Sequence, residues 1–152
     1  MDITQEDQEM YQGDEFSYDV KIPQDRVAVL IGKEGSTKKK IETESTCQLD
    51  ITAEGAVTIL GKDAIALFAT REIVRAIGRG FNPNLALELL KTDYILEIIS
   101  LKDIVGSSKS SIERLKGRII GKAGKSRAVL EDFTGTKISV YGKTVGIIGE
   151  AM

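Results

Sequence analysis

Histidine is absent from the 152-residue chain. That removes Ser-His and Cys-His nucleophile pairs, His-bearing zinc sites and the usual general base of ribonuclease chemistry. Cysteine occurs once, as Cys47, so no internal disulfide framework can form and a reducing, cytoplasmic setting is expected. The residue is read as a small buried hydrophobe rather than a nucleophile. Aromatics number only eight, four Tyr and four Phe. No apolar run approaches the roughly 20 positions of a membrane-spanning helix. The acidic start lacks the basic end and apolar stretch of a signal peptide. Neither a membrane partner, a metal nor a cofactor is expected.

What is present is uneven charge. The first 19 residues hold seven acids (Asp2, Glu6, Asp7, Glu9, Asp14, Glu15, Asp19) and no base. The other 133 carry all 21 bases and 16 acids, a net +5 hidden under an overall charge of −2. Within them, Lys109 to Arg127 holds seven bases against the single acid Glu113. An acidic, disordered tail over residues 1–17 is expected, inert as a solubility tail in the plain reading and visiting the basic segment in competition with RNA in the sharper one.

The chain also repeats itself. Shifted by 89 positions, Ile31-Gly32-Lys33-Glu34-Gly35 lies on Ile120-Gly121-Lys122-Ala123-Gly124. The register continues with Lys38 on Arg127, Ile41 on Leu130, Glu42 on Glu131 and Leu49 on Ile138. Two copies of one α+β unit follow, at 18–81 and 94–152, joined by a connecting helix within 82–93 that Asn82-Pro83 opens. In the first copy a strand over Tyr18–Ile22 precedes a short helix capped by Asp25, the glycine turn, and a helix from Ser36 to about Thr46. Strands Gln48–Ile51 and Ala56–Leu60 come next, then a helix Asp63–Ile77 with Ile65, Phe68, Ala69, Ile73, Ala76 and Ile77 on its buried stripe. The order is β-α-α-β-β-α.

The second copy opens with the strand Tyr94–Ile99, followed by a mobile stretch Leu101–Ser111. A capping box of Ser110 with Glu113 starts the helix Ile112–Ile120, which buries Ile112, Leu115 and Ile119 and sets Arg114 and Arg118 on another face. After Gly121–Gly124 come a helix to about Thr134 and strands Lys137–Tyr141 and Thr144–Ile148. The closing helix of the first copy has no counterpart, so part of the second sheet is expected to lie bare.

A GxxG spacing alone is weak evidence, since 15 glycines in 152 residues give about 1.5 occurrences by chance. The repeated context is the specific signal. Each turn follows a helix ending in two aliphatics, carries lysine second, and opens another helix. Glycine lets a phosphate or ribose approach the main chain, and the next helix offers free N–H groups and its positive dipole end. Lys33 and Lys122 add charge, as do Lys38 and Arg127 beyond the turn. Glu34 makes the first loop the less hospitable one. A tight turn needing glycine for geometry alone is the plain alternative. A nucleotide-binding P-loop is excluded: Gly124-Lys125-Ser126 and Gly142-Lys143-Thr144 would need glycine where Ile119 and Lys137 stand. Tyr141, beside a turn, is the aromatic best placed to stack on a base, with packing as the other reading.

These features resemble the KH domain, whose glycine loop clamps about four single-stranded nucleotides. Both copies look like the eukaryotic-type (type I) arrangement, the second without its last helix. The segment Lys116–Arg127, with Ile138–Val145 and Ile147-Ile148-Gly149, is similar to archaeal tandem-KH proteins, the counterparts of the small-subunit ribosome assembly factor partner of Nob. The resemblance implies binding near the 3′ end of small-subunit ribosomal RNA, beside the endonuclease that trims it, and a link to the alpha subunit of translation initiation factor two. It implies no catalytic activity. Carried over by position, the clamps are Gly32, Lys33, Glu34 and Gly35, and Gly121, Lys122, Ala123 and Gly124. The residues supplying the field are Arg114, Arg118, Lys125 and Arg127, with Lys38 in the first copy. A protein-interaction scaffold using the same surfaces is the alternative function. The family normally continues past Gly149 into a closing helix, so the second copy is expected to be incomplete.

Overall fold

A computed structural model describes residues 15–151, and the expected acidic tail lies almost wholly outside them. The first unit runs β1 (Phe16–Lys21), α1 (Gln24–Ile31), a 3-10 turn Lys33–Gly35, α2 (Ser36–Ser45), β2 (Gln48–Ile51), β3 (Ala56–Gly61) and α3 (Ala64–Gly78). A short helix α4 (Pro83–Ala86) and a 3-10 turn Leu87–Leu90 lead on. The second unit runs β4 (Tyr94–Ser100), α5 (Leu101–Val105), α6 (Lys109–Ile120), a 3-10 turn Lys122–Gly124, α7 (Lys125–Thr134), β5 (Lys137–Tyr141) and β6 (Thr144–Glu150). Each unit holds a three-stranded antiparallel sheet, ordered β1-β3-β2 and β4-β6-β5. The last-made strand is central in both. No helix follows β6 among the described residues.

Alternation sets the faces of each sheet. In the first unit Leu49, Val57 and Ile59 point under the helices and join Leu30, Ile41, Ile73 and Ile77 in the core. In the second, Val145 joins Leu101 and Ile112, with Leu115, Ile119, Ile138 and Val140 packed around them. The opposite face of the second sheet is buried against the first unit. Leu96 and Ile148 belong to the first unit's core together with Phe81. At Gly146 there is no room for a Cβ, which would stand 2.7 Å from the Phe81 ring. The two units are therefore joined through one continuous apolar interior.

Local expectations fail at four places, each for a reason. Asp25 does not cap α1; Pro23 stands at the N-cap, and the Asp25 carboxylate instead accepts a hydrogen bond from the Tyr141 hydroxyl of the second unit. Helix α3 turns Ile65 (80% exposed) and Phe68 (51%) outward, while Leu67, Thr70 and Val74 are buried. Thr70 tolerates burial because its hydroxyl donates to the Ala66 carbonyl at 2.7 Å. The stretch after β4 is not wholly loop: Leu101 is fully buried and anchors α5. Ser108 rather than Ser110 caps the next helix, accepting from the Ser111 N–H, so α6 begins at Lys109.

Candidate nucleic-acid interface

The two glycine turns have one backbone conformation. Gly121 has φ 73 and ψ 176, Ala123 φ 55 and ψ 29, Gly124 φ 75 and ψ 13. In the first unit Gly32 has φ 75 and ψ 175, Glu34 φ 57 and ψ 28, Gly35 φ 77 and ψ 13. Three of the four positions thus lie at positive φ, where side chains are disfavoured. The roles of the two glycines differ. A Cβ at Gly121 would meet the Ser126 hydroxyl at 2.3 Å, so both space and φ demand glycine there. At Gly124 the surroundings are open, with only the Arg127 guanidinium nearby at 3.9 Å. The fourth position is bare main chain offered to solvent.

The helix after each turn begins without a side-chain cap. Its first-turn N–H groups and positive dipole end face outward beside the bare glycine. Lys122, Ala123, Lys125 and Arg127 are exposed, and Arg127 folds back toward Gly124. Arg114 and Arg118 flank a separate shallow recess with Val105 and Leu115. Of the seven bases in this segment, only Lys116 has a carboxylate in reach among the described residues, Glu113 at 3.7 Å. The second loop thus carries exposed Lys122, Lys125 and Arg127 with no ion-pair partner among the described residues.

The first loop is poorer in charge. Glu34 occupies its exposed third position, Lys38 is half-buried, and Lys40 donates to the Asn84 side chain at 3.4 Å. Between α7 and β5 a feature of both copies escaped sequence reading: Glu131 accepts the Ile138 N–H at 2.9 Å, and Glu42 accepts the Leu49 N–H at 2.9 Å. These ties hold the helix after the glycine turn against the edge strand. The alignment of Glu42 with Glu131 was its only trace in sequence.

Tyr141 is not a free stacking platform. Its hydroxyl donates to Asp25, and its ring lies 5.7 Å from the Arg26 guanidinium and 5.2 Å from that of Arg79. The hydrogen bond to Asp25 raises the Tyr141 pKa above its ordinary 10, and burial adds to this, while Arg26 and Arg79 oppose it. Arg26 itself donates to the carbonyls of Ile77 at 2.8 Å and Phe81 at 3.0 Å. Tyr141 belongs to the junction between the units. Cys47 is buried, as a small hydrophobe would be. Among the described residues no cluster of His, Cys, Asp and Glu could hold a metal ion, and no helix is long and apolar enough to cross a membrane.

Comparison with known proteins places both copies. Residues 95–152 match the family described as eukaryotic type KH-domain (KH-domain type I), and residues 17–78 match the KH domain. A KH domain-containing protein of Methanocaldococcus jannaschii is 56% identical over 135 residues, covering 86% of this chain and 59% of the relative. The RNA-binding protein pno-1 of Caenorhabditis briggsae is 34% identical over 90 residues, covering 58% of this chain and 33% of its own length. The chain thus spans about three fifths of the first relative and a third of the second. Among solved structures, the complex of a/eIF2alpha, aDim2p and rRNA from Pyrococcus horikoshii matches with a TM-score of 0.86 and 45% identity, over 93% of this chain and 80% of that one.

Proposed function

The chain belongs to the tandem KH-domain family of RNA-binding proteins, and from that premise we propose that it clamps single-stranded RNA with its second glycine loop, at the 3′ end region of small-subunit ribosomal RNA. The observation that carries the reading is the second loop itself: bare backbone at Gly124, an uncapped helix start, and exposed Lys122, Lys125 and Arg127 without ion-pair partners among the described residues. A phosphate set there meets N–H donors, the helix dipole and Lys122 or Arg127 together. Partly exposed Ile138 and Val140 give the bases an apolar wall beside the edge strand. The solved relative that contains rRNA and a/eIF2alpha supports the ribosomal setting and a translation-factor partner. The reading also includes a maturation endonuclease beside the same RNA end, and a cytoplasmic site of action. No group on the protein is assigned to catalysis.

The test is the Lys122→Asp/Ala123→Asp pair, read by fluorescence anisotropy on single-stranded RNA across a salt series. Aspartate accepts the positive φ of position 123 better than most residues, so the fold is expected to survive. Loss of most binding, with a smaller loss for Lys33→Asp/Glu34→Asp, is the expected result. Equal losses at both loops would remove the second loop's primacy. A second reading, in which the first unit docks a protein, is favoured by Glu34 on its loop. Salt separates the two, because phosphate contacts give log K a steep dependence on log salt and an apolar interface does not.

A further inference from the structure

We propose that the cleft between the two units is a second site for the phosphodiester backbone of single-stranded RNA, engaged only by strands longer than one glycine loop can hold. The inference rests on the RNA-binding reading above and adds a surface outside both loops. The cleft has a volume of about 390 Å³ and is lined by Lys21 of β1 and by Arg71, Arg75 and Arg79, with Ile98 of β4 and Thr144 of β6 completing it.

The arginines recur every fourth residue along and just past α3, so they share one face and rise about 6 Å per step. Their charge is only partly compensated among the described residues. Buried Glu72 serves two of them, at 3.2 Å from Arg71 and 2.9 Å from Arg75. The one acid on the cleft wall among the described residues, Asp19, accepts from the Thr58 hydroxyl. Arg79 has no carboxylate partner, and its Nε is shut off from water without a hydrogen-bond partner among the described residues. Four bases against Asp19 and a shared Glu72 leave a surplus of about two charges, and a concave low-dielectric wall concentrates their field.

Packing accounts for part of this. The Arg71 guanidinium lies 5.3 Å from the Tyr18 ring and that of Arg79 lies against Tyr141. It does not account for three guanidiniums in a row beside a lysine. A linear, evenly stepped row of planar cations suits a repeating chain of phosphates better than a compact acidic peptide.

The experiment uses the full chain with two RNA probes, a mixed-sequence dodecamer by anisotropy and a tetranucleotide by NMR titration. The variant is Arg71→Gln/Glu72→Gln/Arg75→Gln, which removes two guanidiniums together with the buried carboxylate they would strand; exposed Lys21→Gln is a second variant outside the helix. Circular dichroism and thermal melting check that each is folded. The expected result is a loss of about 5- to 20-fold for the dodecamer with the triple variant. The log K–log salt slope should become shallower by about 1 to 1.5, as two lost phosphate contacts on a single strand require. Lys21→Gln should weaken the dodecamer about 2- to 3-fold, and the tetranucleotide should bind all three proteins alike. Unchanged dodecamer affinity in both variants overturns the cleft site while leaving the loops intact as binders. Selective loss of polyglutamate binding with RNA unaffected would assign the cleft to acidic protein and also overturn it. Failure of the parent protein to bind either RNA would sink the RNA-binding reading itself.

Discussion

The carboxylate of Glu131 on α7 accepts the N–H of Ile138, near the start of the edge strand β5 and seven residues along the chain, at 2.9 Å. The same bond joins Glu42 to Leu49 at 2.9 Å. Each fastens the helix that follows a glycine turn to the edge strand of its sheet, the two elements that border the groove proposed for RNA. Removal of the carboxylate should loosen that groove before it unfolds the protein. Glu131→Ala is expected to cost about 1–2 kcal/mol of stability and to speed amide exchange at Ile138. Glu131→Gln keeps an acceptor and should cost less. Exchange at Ile138 that is equal in all three proteins would show the bond to be incidental.

The two glycines of the second loop should separate on substitution. Gly121→Ala puts a methyl 2.3 Å from the Ser126 hydroxyl as well as straining φ, whereas Gly124→Ala strains φ alone. Gly124→Ala is therefore expected to cost about 1 kcal/mol and Gly121→Ala distinctly more. RNA binding by Gly124→Ala should fall beyond what its stability explains, because the methyl stands on the open main chain. Melting curves paired with anisotropy decide it, and identical melting temperatures for the two variants would contradict the geometry.

Helix α3 covers the first unit but has no counterpart in the second among the described residues. The result is visible in matched positions: Ile41 is fully buried, whereas Leu130 is 42% exposed. Val129, Phe133, Ile95 and Ile99 are exposed as well, with Phe133 at 90%. Bare apolar surface of this kind favours association. This chain is expected to self-associate at high protein concentration, and Phe133→Lys should reduce it without loss of stability. Sedimentation velocity across a concentration series checks it; a strict monomer at all concentrations would show the face to be inert.

Alkaline titration should report on the junction. Tyr141 is an acid whose folded pKa lies above 10, so its contribution is fully present below the unfolded value of about 10 and fades as pH rises through the folded value. Tyr141→Phe should lower the melting temperature by about 2–4 °C at pH 8. The gap between the two proteins should then narrow above pH 10. A gap that stays constant to pH 11.5 would remove the Tyr141–Asp25 bond from the account of stability.

Legibility in the sequence followed range. The glycine turns, the strands β2 and β5, and the order of elements are set by residues within a few positions of one another, and these were readable. Helix α3 was harder because Ile65 and Phe68 on one side and Leu67 and Val74 on another are all apolar, so periodicity alone could not choose the buried stripe. Tertiary packing chose it. The cap of α6 slipped from Ser110 to Ser108 within a run of four serines between 107 and 111 that offer the same chemistry. The cap expected of Asp25 and the open choice between stacking and packing for Tyr141 share one cause: the two residues are each other's partners 116 positions apart, and no local pattern announces such a pair. The arginine row of α3 was unread because its meaning comes from β6 standing opposite.

Phe81 seated over Gly146 makes the distance between the two glycine turns a property of the fold rather than of a tether. A strand that occupied both turns would therefore have to bridge a fixed gap, and the fold would set the length of chain between the two contacts. Strands too short to cross the gap gain nothing from the second turn, and floppy longer ones lose part of the gain to chain entropy. For such a strand, selection by length would follow from one phenyl ring that finds no Cβ in its way.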